Sequence, residues 1–385
     1  LAPPALSLAR RLDRATTIAD LRRMAARRAP RAVFDYVDGG AGDERSIQRS
    51  ARAFSRVEFH PRTLRDVSTV SPSTTILGES SSMPVVLAPT GLTRMMHHTG
   101  ERAVARSAAR AGVPYSLSTM GTSSPASVFG VEPAAARWYQ LYVWRDRART
   151  EALIERVAGA GFRTLVLTVD VPVVGERRRD VRNGLAMPPL LRWRTLLDGA
   201  LHPAWWFDLL TTEPLRFSAH AEEGELHEVF GKAFDPTVTM DDLTWLRGRW
   251  AGRLVVKGVM RVDDASEMVL RGVDGLVVSN HGGRQLDRSV TPLEVLPAIL
   301  DAVGDRIEVL VDGGVRSGAD VVAAVGLGAK AAMIGRAYLY GLMAGGERGV
   351  DRALTILRDD VIRTMQLLGV RSIGELDAST VTLRD

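Results

Sequence analysis

From Met83 onward, short apolar runs alternate with segments whose apolar residues recur at helical spacing. Eight such runs occupy 84–88, 114–117, 138–141, 164–168, 254–256, 275–278, 308–311 and 331–334. They are short and rich in Val, Leu and Ile, as strands buried on both faces are. Helical segments follow at 101–111, 147–160, 262–271, 293–303 and 318–327. Strand–helix units repeated in one direction imply an α/β fold with a parallel sheet, and eight of them close into a (β/α)8 TIM barrel. Ahead of the barrel, 17–56 reads as helical. Thr17 caps Ile18-Ala19-Asp20-Leu21, and a second helix carries Ala32 to Val37 before the break at Gly39-Gly40. Residues 1–16 contain Pro and Arg but no apolar stretch of signal-peptide type, and read as an N-terminal tail to a single domain over 17–385. One interruption, 185–245 after the fourth strand, is far too long for a βα connection and reads as an insertion forming a lid or a membrane-contacting segment.

Polar and glycyl residues gather where each strand ends. They are Pro89-Thr90, Ser118, Gln140 with Tyr142, Thr168 with Asp170, Lys257, Ser279 through Arg284, Asp312-Gly313-Gly314, and Gly335-Arg336. The C-terminal rim is where barrel sites are built. The densest stretch is Ser279-Asn280-His281-Gly282-Gly283-Arg284-Gln285-Leu286-Asp287 behind the sixth strand. Its glycines permit close backbone approach to something flat, its imidazole takes up a proton near neutral pH, and its guanidinium matches a carboxylate. Those are parts of a site that removes a proton, or a hydride equivalent, from a small acid.

Three further signals surround it. Asp312-Gly313-Gly314-Val315-Arg316 and Gly335-Arg336 follow the seventh and eighth strands, the units that hold phosphate in many barrels. No Gly-rich dinucleotide fingerprint opens a helix, which favours a mononucleotide. Lys257 ends a buried strand and needs an anionic partner; support of a reduced flavin ring is one role, a Schiff base the rival. Asp170 is the natural partner for His281, since a carboxylate fixes an imidazole's tautomer and stabilises its protonated form. Arg177, Arg178 and Arg179 stand together, and spacing does not choose which joins Arg284 on a substrate carboxylate.

These residues resemble the FMN-dependent L-2-hydroxy acid dehydrogenases and oxidases. The likeness runs from about Thr17 to the C-terminus, through the 279–287 stretch, Phe34-Asp35-Tyr36, Ala88-Pro89-Thr90-Gly91, Gln140-Leu141-Tyr142, Thr168-Val169-Asp170, Val256-Lys257-Gly258, Asp312-Gly313-Gly314 and Ile334-Gly335-Arg336. The resemblance implies that His281 is the base and Asp170 its partner, that Arg284 and Arg177 hold the substrate carboxylate with Tyr36 assisting, and that Tyr142 binds the reacting hydroxyl. It implies that Pro89, Thr90, Ser118, Gln140, Thr168, Lys257 and Ser279 line the flavin of FMN, and that Asp312, Gly314, Arg316, Gly335 and Arg336 take its ribityl chain and phosphate. Within the family the chain is similar to actinobacterial quinone-linked L-lactate dehydrogenases and to membrane-associated mandelate dehydrogenase. Gly91 stands where the oxidases have Ala, and Met120 where members vary the pocket wall. The implied reaction is oxidation of an L-2-hydroxy acid, L-lactate first, with a quinone or similar acceptor, in a homotetramer that is cytoplasmic or else peripheral on the inner face of the cell membrane. Oxygen as acceptor, mandelate as substrate and a catalytically silent scaffold are the alternatives.

Composition narrows this further. The 385 residues are 45% hydrophobic and 25% charged, as in globular proteins, with a formal charge of +5. Lys occurs only at 232, 257 and 330, and acidic residues are interspersed with the arginines, so no basic stripe for nucleic acid forms. The absence of Cys excludes disulfides, thiolate metal sites and a Cys nucleophile; no metal is expected. No apolar run reaches the roughly 18 residues of a spanning helix. The insertion instead concentrates Trp193, Trp205, Trp206, Phe207, Leu209 and Leu210, with Arg192, Arg194 and His202 nearby. Over 190–212 this suits a segment lying at headgroup depth, or alternatively one packed on the barrel or a neighbouring subunit.

Overall fold

The computed structural model describes residues 4–130, 136–184, 193–217 and 234–384. Eight parallel strands pair in chain order and close into a barrel: β1 (Val85–Leu87), β2 (Tyr115–Ser118), β3 (Arg137–Leu141), β4 (Thr164–Thr168), β5 (Arg253–Val259), β6 (Gly275–Val278), β7 (Glu308–Asp312) and β8 (Ala332–Ile334). They are the eight apolar runs of the sequence; β4 and β6 coincide with their runs, and the other six are extended or trimmed by one to a few residues. Side-chain alternation sorts them into two layers. Val86, Trp138, Val166, Val255, Val277, Leu310 and Met333 fill the lumen. Leu87, Leu117, Leu165, Val256, Leu276 and Val311 face the surrounding helices.

The lumen is sealed at the N-terminal end. A hairpin, Thr74–Ile76 with Glu79–Ser81, places Ile76 and Leu77 in the interior cluster. Glu79 accepts a hydrogen bond from Trp138 Nε1 at 3.0 Å, and Glu308 accepts one from the Leu77 N–H at 2.6 Å.

Four helices precede the barrel: α1 (Pro4–Arg14), α2 (Ile18–Arg28), α3 (Arg31–Asp38) and α4 (Arg45–Phe54). Thr17 caps α2 in a reciprocal box with Asp20, as its position before the apolar periodicity predicts. The stretch expected as a tail, 1–16, instead contains α1. Leu8 and Leu12 lie one turn apart on one face, and Leu12 is buried against the long C-terminal helix. There Arg352 donates to the Ala15 carbonyl at 2.9 and 2.7 Å. The partner lies more than 300 residues away, so local pattern alone does not announce the docking.

The outer ring comprises α5 (Gly100–Ala111), α6 (Arg147–Gly159), α9 (Met240–Arg249), α10 (Val262–Leu270), α11 (Pro292–Val303), α12 (Gly318–Gly326) and α13 (Arg336–Leu368), the last broken at Gly345-Gly346. Within the insertion lie α7 (Trp193–Ala200) and α8 (Pro203–Thr211). Residues 185–192 and 218–233 of that insertion are outside the described residues, as are the side chains of Trp193 and Arg194. The boundary drawn at 245 extends too far: α9, with Leu243 and Leu246 in the main core, is an ordinary ring helix, capped by Thr239 and Asp242. The aromatic cluster also divides. Trp205 faces the barrel and donates to the Met95 carbonyl at 2.8 Å, whereas Phe207, Leu210 and Leu201 are 58%, 73% and 79% exposed.

Candidate active site

At the C-terminal rim the strand ends converge on one cavity, lined among others by Tyr36, Pro89, Thr90, Ser118, Tyr142, Arg177, Lys257, His281, Arg284, Asp312, Gly314, Arg316, Gly335 and Arg336. Fourteen residues proposed from the sequence thus share one space. The other four stand at or behind its wall. Asp170 backs His281, Ser279 backs Lys257, Gln140 accepts a hydrogen bond from Ser118 Oγ at 3.0 Å, and Thr168 opens into a neighbouring cavity that shares Tyr142, Val171 and Phe234.

His281 begins the turn after β6 with φ +57°, a left-handed conformation costly for a residue with a Cβ and concentrated at functional sites. The turn is held from several sides. Asn280 Oδ1 accepts from the Gly283 N–H at 3.1 Å, Asn280 Nδ2 donates to Ser50 at 3.2 Å, and Ser279 Oγ accepts from the His281 N–H at 3.0 Å. Asp287 fastens the end of the turn to α4 by accepting from the Ser46 and Asp43 N–H groups. His281 Nδ1 lies 3.0 Å from Asp170 Oδ1, which leaves Nε2 for chemistry. Burial opposes charge on Asp170, but His281 and Lys257 outweigh it and hold the carboxyl below its ordinary range.

Lys257 sits at a β-bulge in β5, where the register with β6 shifts between Lys257 and Val259. Gly258 has φ +107°, and a Cβ there would come within 2.7 Å of the Asp170 side chain, so glycine lets the two strand ends close up. The ammonium is buried, 2.7 Å from Asp312 Oδ2 and 2.8 Å from Ser279 Oγ. Desolvation works against its charge, yet Asp312 and Asp170 raise its pKa above the usual lysine value. This cation is committed to carboxylates, which disfavours a Schiff base, a role that needs a free amine.

The structure selects among the three adjacent arginines. Arg179 is engaged by Asp35, Asp38 and Glu44, and Arg178 by Asp43 and Glu176. Arg177 lines the cavity, its guanidinium 5.4 Å from the Tyr36 ring centre, while Arg284 stands 4.9 Å from the same centre. Burial and the neighbouring Arg177 lower the Arg284 pKa. Asp180, 3.3 Å from Arg177 Nε, balances one of these two cations, and the second leaves a net positive charge beside Tyr36 that suits a carboxylate. Arg284 also donates to the Tyr36 and Gly39 carbonyls. Arg336 is more heavily committed, donating to the carbonyls of Val37, Gly282 and Gly39 at 2.9, 2.8 and 2.7 Å. Burial, with Arg316 and Arg284 close by, pulls its pKa down to about 9. Beyond any ligand contact, it ties the end of α3 to the His281 turn, a role no motif signals.

The donor set suits FMN. Among the described residues, Gln140 Nε2 and Thr168 Oγ1 at the cavity's wall are buried without a hydrogen-bond partner, capacity that the polar edge of a heteroaromatic ring would satisfy. Lys257 lines the same cavity, as do Gly313, Gly314, Gly335 and Arg316, whose backbone N–H and guanidinium groups would suit a phosphate. Sequence reasoning missed Tyr338, which donates to the Ala88 carbonyl at 2.9 Å and lies 2.7 Å from Thr90 Oγ1. It also missed Phe234, packed edge-on against Tyr142 at 5.0 Å between ring centres. Tyr338 lies only two residues beyond Arg336 but looks like an ordinary core aromatic of α13, and Phe234 comes from the insertion. Away from the site, His97, His98 and Asp208 bring three potential metal ligands together, but the small cavity between them is also lined by Arg28 and Arg94.

Comparison with known proteins agrees with this geometry. A family model for FMN-dependent dehydrogenases matches residues 25–383. A Mycobacterium tuberculosis protein provisionally called L-lactate dehydrogenase is 56% identical, covering 97% of this chain and 90% of its own length. L-lactate dehydrogenase of Caulobacter vibrioides is 44% identical, covering 95% and 97%. Among solved structures, the monotopic membrane protein (S)-mandelate dehydrogenase superposes with a TM-score of 0.93 at 36% identity, over 96% of this chain and all of that one.

Proposed function

Because the chain belongs to the FMN-dependent dehydrogenase family, we propose that it oxidises an L-2-hydroxy acid, L-lactate in the first place, to the 2-oxo acid and passes the electrons to a quinone. The observation that carries this reading is the convergence of His281, braced by Asp170, with Arg177 and Arg284 on one cavity. Arg177 and Arg284 clamp the substrate carboxylate and thereby fix the α-carbon, converting encounter into a near-unimolecular step. His281 takes the proton through Nε2, and Asp170 stabilises the imidazolium so formed. Burial, with Asp170 and Tyr36 adding negative potential, raises the Tyr142 pKa, so its phenol stays protonated and donates to the substrate oxygen. FMN, held by the residues named above, supplies the two-electron acceptor.

Gly91 supports a dehydrogenase over an oxidase. A Cβ there would lie 2.9 Å from Met120 Cβ, so the alanine of the oxidases would fit only if Met120 shifted. The exposed apolar face of α7 and α8, with Leu197, Leu201, Trp206, Phe207 and Leu210, supports contact with a membrane surface. No helix among the described residues is long and apolar enough to cross a membrane. We place the enzyme peripherally on the inner face of the cell membrane, as a homotetramer by family analogy. The similarity to mandelate dehydrogenase favours a second reading, in which the preferred acid is larger and aromatic.

Anaerobic stopped-flow reduction of the bound flavin by L-lactate, glycolate, mandelate and longer 2-hydroxy acids tests this. L-Lactate is expected to bleach the flavin fastest, with rapid recovery on adding a quinone analogue and slow recovery in air. Failure of every 2-hydroxy acid to bleach it sinks the proposal; immediate recovery in air with peroxide makes the enzyme an oxidase.

A further inference from the structure

We propose that Glu101 is a positioning residue that fixes Met120 and so sets the size of side chain the substrate cavity accepts. Resting on the hydroxy acid reading above, the inference names the part of the fold that limits the substrate class. Glu101 lies in the first turn of α5 and is fully buried, at 0% exposure. No ion pair among the described residues includes it. A buried carboxylate without a counter-ion is tolerated only where hydrogen bonds replace its hydration. Here they come from one short loop. The Thr122 N–H donates at 2.6 Å, Thr122 Oγ1 at 2.8 and 2.9 Å to the two oxygens, and Ser123 Oγ at 2.8 Å. Thr122 Oγ1 also accepts from the Arg94 N–H at 3.2 Å, so its own hydrogen is directed at Glu101.

That loop follows β2 and carries Met120 into the cavity wall. Met120 is pressed between its neighbours. Its carbonyl accepts from the Leu92 N–H at 3.0 Å, its N–H donates to Ser118 Oγ at 3.1 Å, and Gly91 leaves no room for a methyl group beside its Cβ. Glu101 therefore anchors from beneath a strap joining the loops after β1 and β2, and Met120 is the strap's face toward the substrate. The carboxylate clamp comes from other elements, Arg177 after β4 and Arg284 after β6, so movement of Met120 alters side-chain selection without disturbing the carboxylate.

The test uses FMN-loaded Glu101→Gln and Ser123→Ala. The first is nearly isosteric but places an amide against hydroxyls already oriented to donate; the second removes one donor and leaves the rest, and keeps the test alive should the first fail to fold. The ratio of kcat/KM for L-2-hydroxyhexanoate to that for L-lactate is expected to rise about fourfold for each additional methylene admitted. The Met120 methyl resonance, followed in the 13C-methionine-labelled, FMN-loaded protein and assigned with Met120→Leu, is expected to shift in both variants. A merely structural role lowers both substrates by one common factor and leaves the methyl where it was, and that result overturns the proposal. Absence of flavin reduction by any hydroxy acid in the wild-type protein overturns the functional reading instead, while the methyl shift still decides the role of Glu101.

Discussion

At the level of single residues, the site works by pairing each charge with a neighbour that fixes its state. His281 illustrates this. Its unfavourable φ is held by Asn280 and Ser279, its Nδ1 is tied to Asp170, and its remaining nitrogen faces the substrate cavity. His281→Ala is expected to keep FMN and thermal stability yet reduce the flavin at least ~10²-fold more slowly with L-lactate, the lower range for loss of a general base. Near-normal anaerobic reduction rates in that variant would remove His281 from the mechanism. Much of this scale was legible in the sequence, because chemistry-bearing residues clustered at strand ends where no packing argument calls for them. Arg177 was legible only as one of three. Which arginine reaches the cavity depends on Asp35, Asp38, Asp43 and Glu44, brought in by α3 and the turn after it, which hold Arg178 and Arg179 away while Arg177 pairs only with Asp180 among the described residues. The hold of Arg336 on three carbonyls was illegible for the same reason, since backbone acceptors leave no trace in side-chain identity.

Elements carry the second level. The eight strands announced themselves because burial on both faces demands unbroken apolar runs, and a run of that length cannot be a surface helix. Helix α1 did not, since its partner face on α13 exists only after folding. The insertion was readable as aromatic but not as two-faced: Trp205 docks on the barrel through the Met95 carbonyl, and the next residues turn outward. Replacing Phe207 and Leu210 together by Asp places two charges on that outward face. Sedimentation with anionic lipid vesicles is expected to fall at least tenfold, with lactate-driven flavin reduction unchanged. Undiminished sedimentation would assign the exposed face to some other contact.

For the molecule as a whole, acid stability follows from groups that join distant parts of the chain. His97, against the Gly346 break in α13, is half-buried, and its desolvation together with His98 and Arg28 pulls its pKa down to about 3. The unfolded chain therefore binds a proton below pH ~6.5 that the folded one refuses. Folding stability falls by up to ~1.4 kcal/mol per pH unit from this group between about pH 6.5 and 3. Asp38 adds to the loss further down. Although burial opposes its ionisation, Arg22, Tyr340 and Arg179 hold its carboxyl at about 2, so its contribution disappears as pH drops from about 3.8 to 2. Urea unfolding at pH 7, 6, 5 and 4 is expected to show a falling midpoint, flattened in His97→Gln. A midpoint constant from pH 7 to 5 in the wild-type protein would contradict this assignment.

The hairpin under the barrel also has a kinetic consequence. With Ile76, Leu77 and Trp138 stoppering the far end, the described residues leave the flavin's doorway at the rim where the acid itself enters. Donor and acceptor must then queue, one departing as product before the other arrives. Initial velocities measured against lactate at several fixed quinone concentrations are expected to give parallel double-reciprocal lines. Intersecting lines would mean that both visitors fit in the vestibule together.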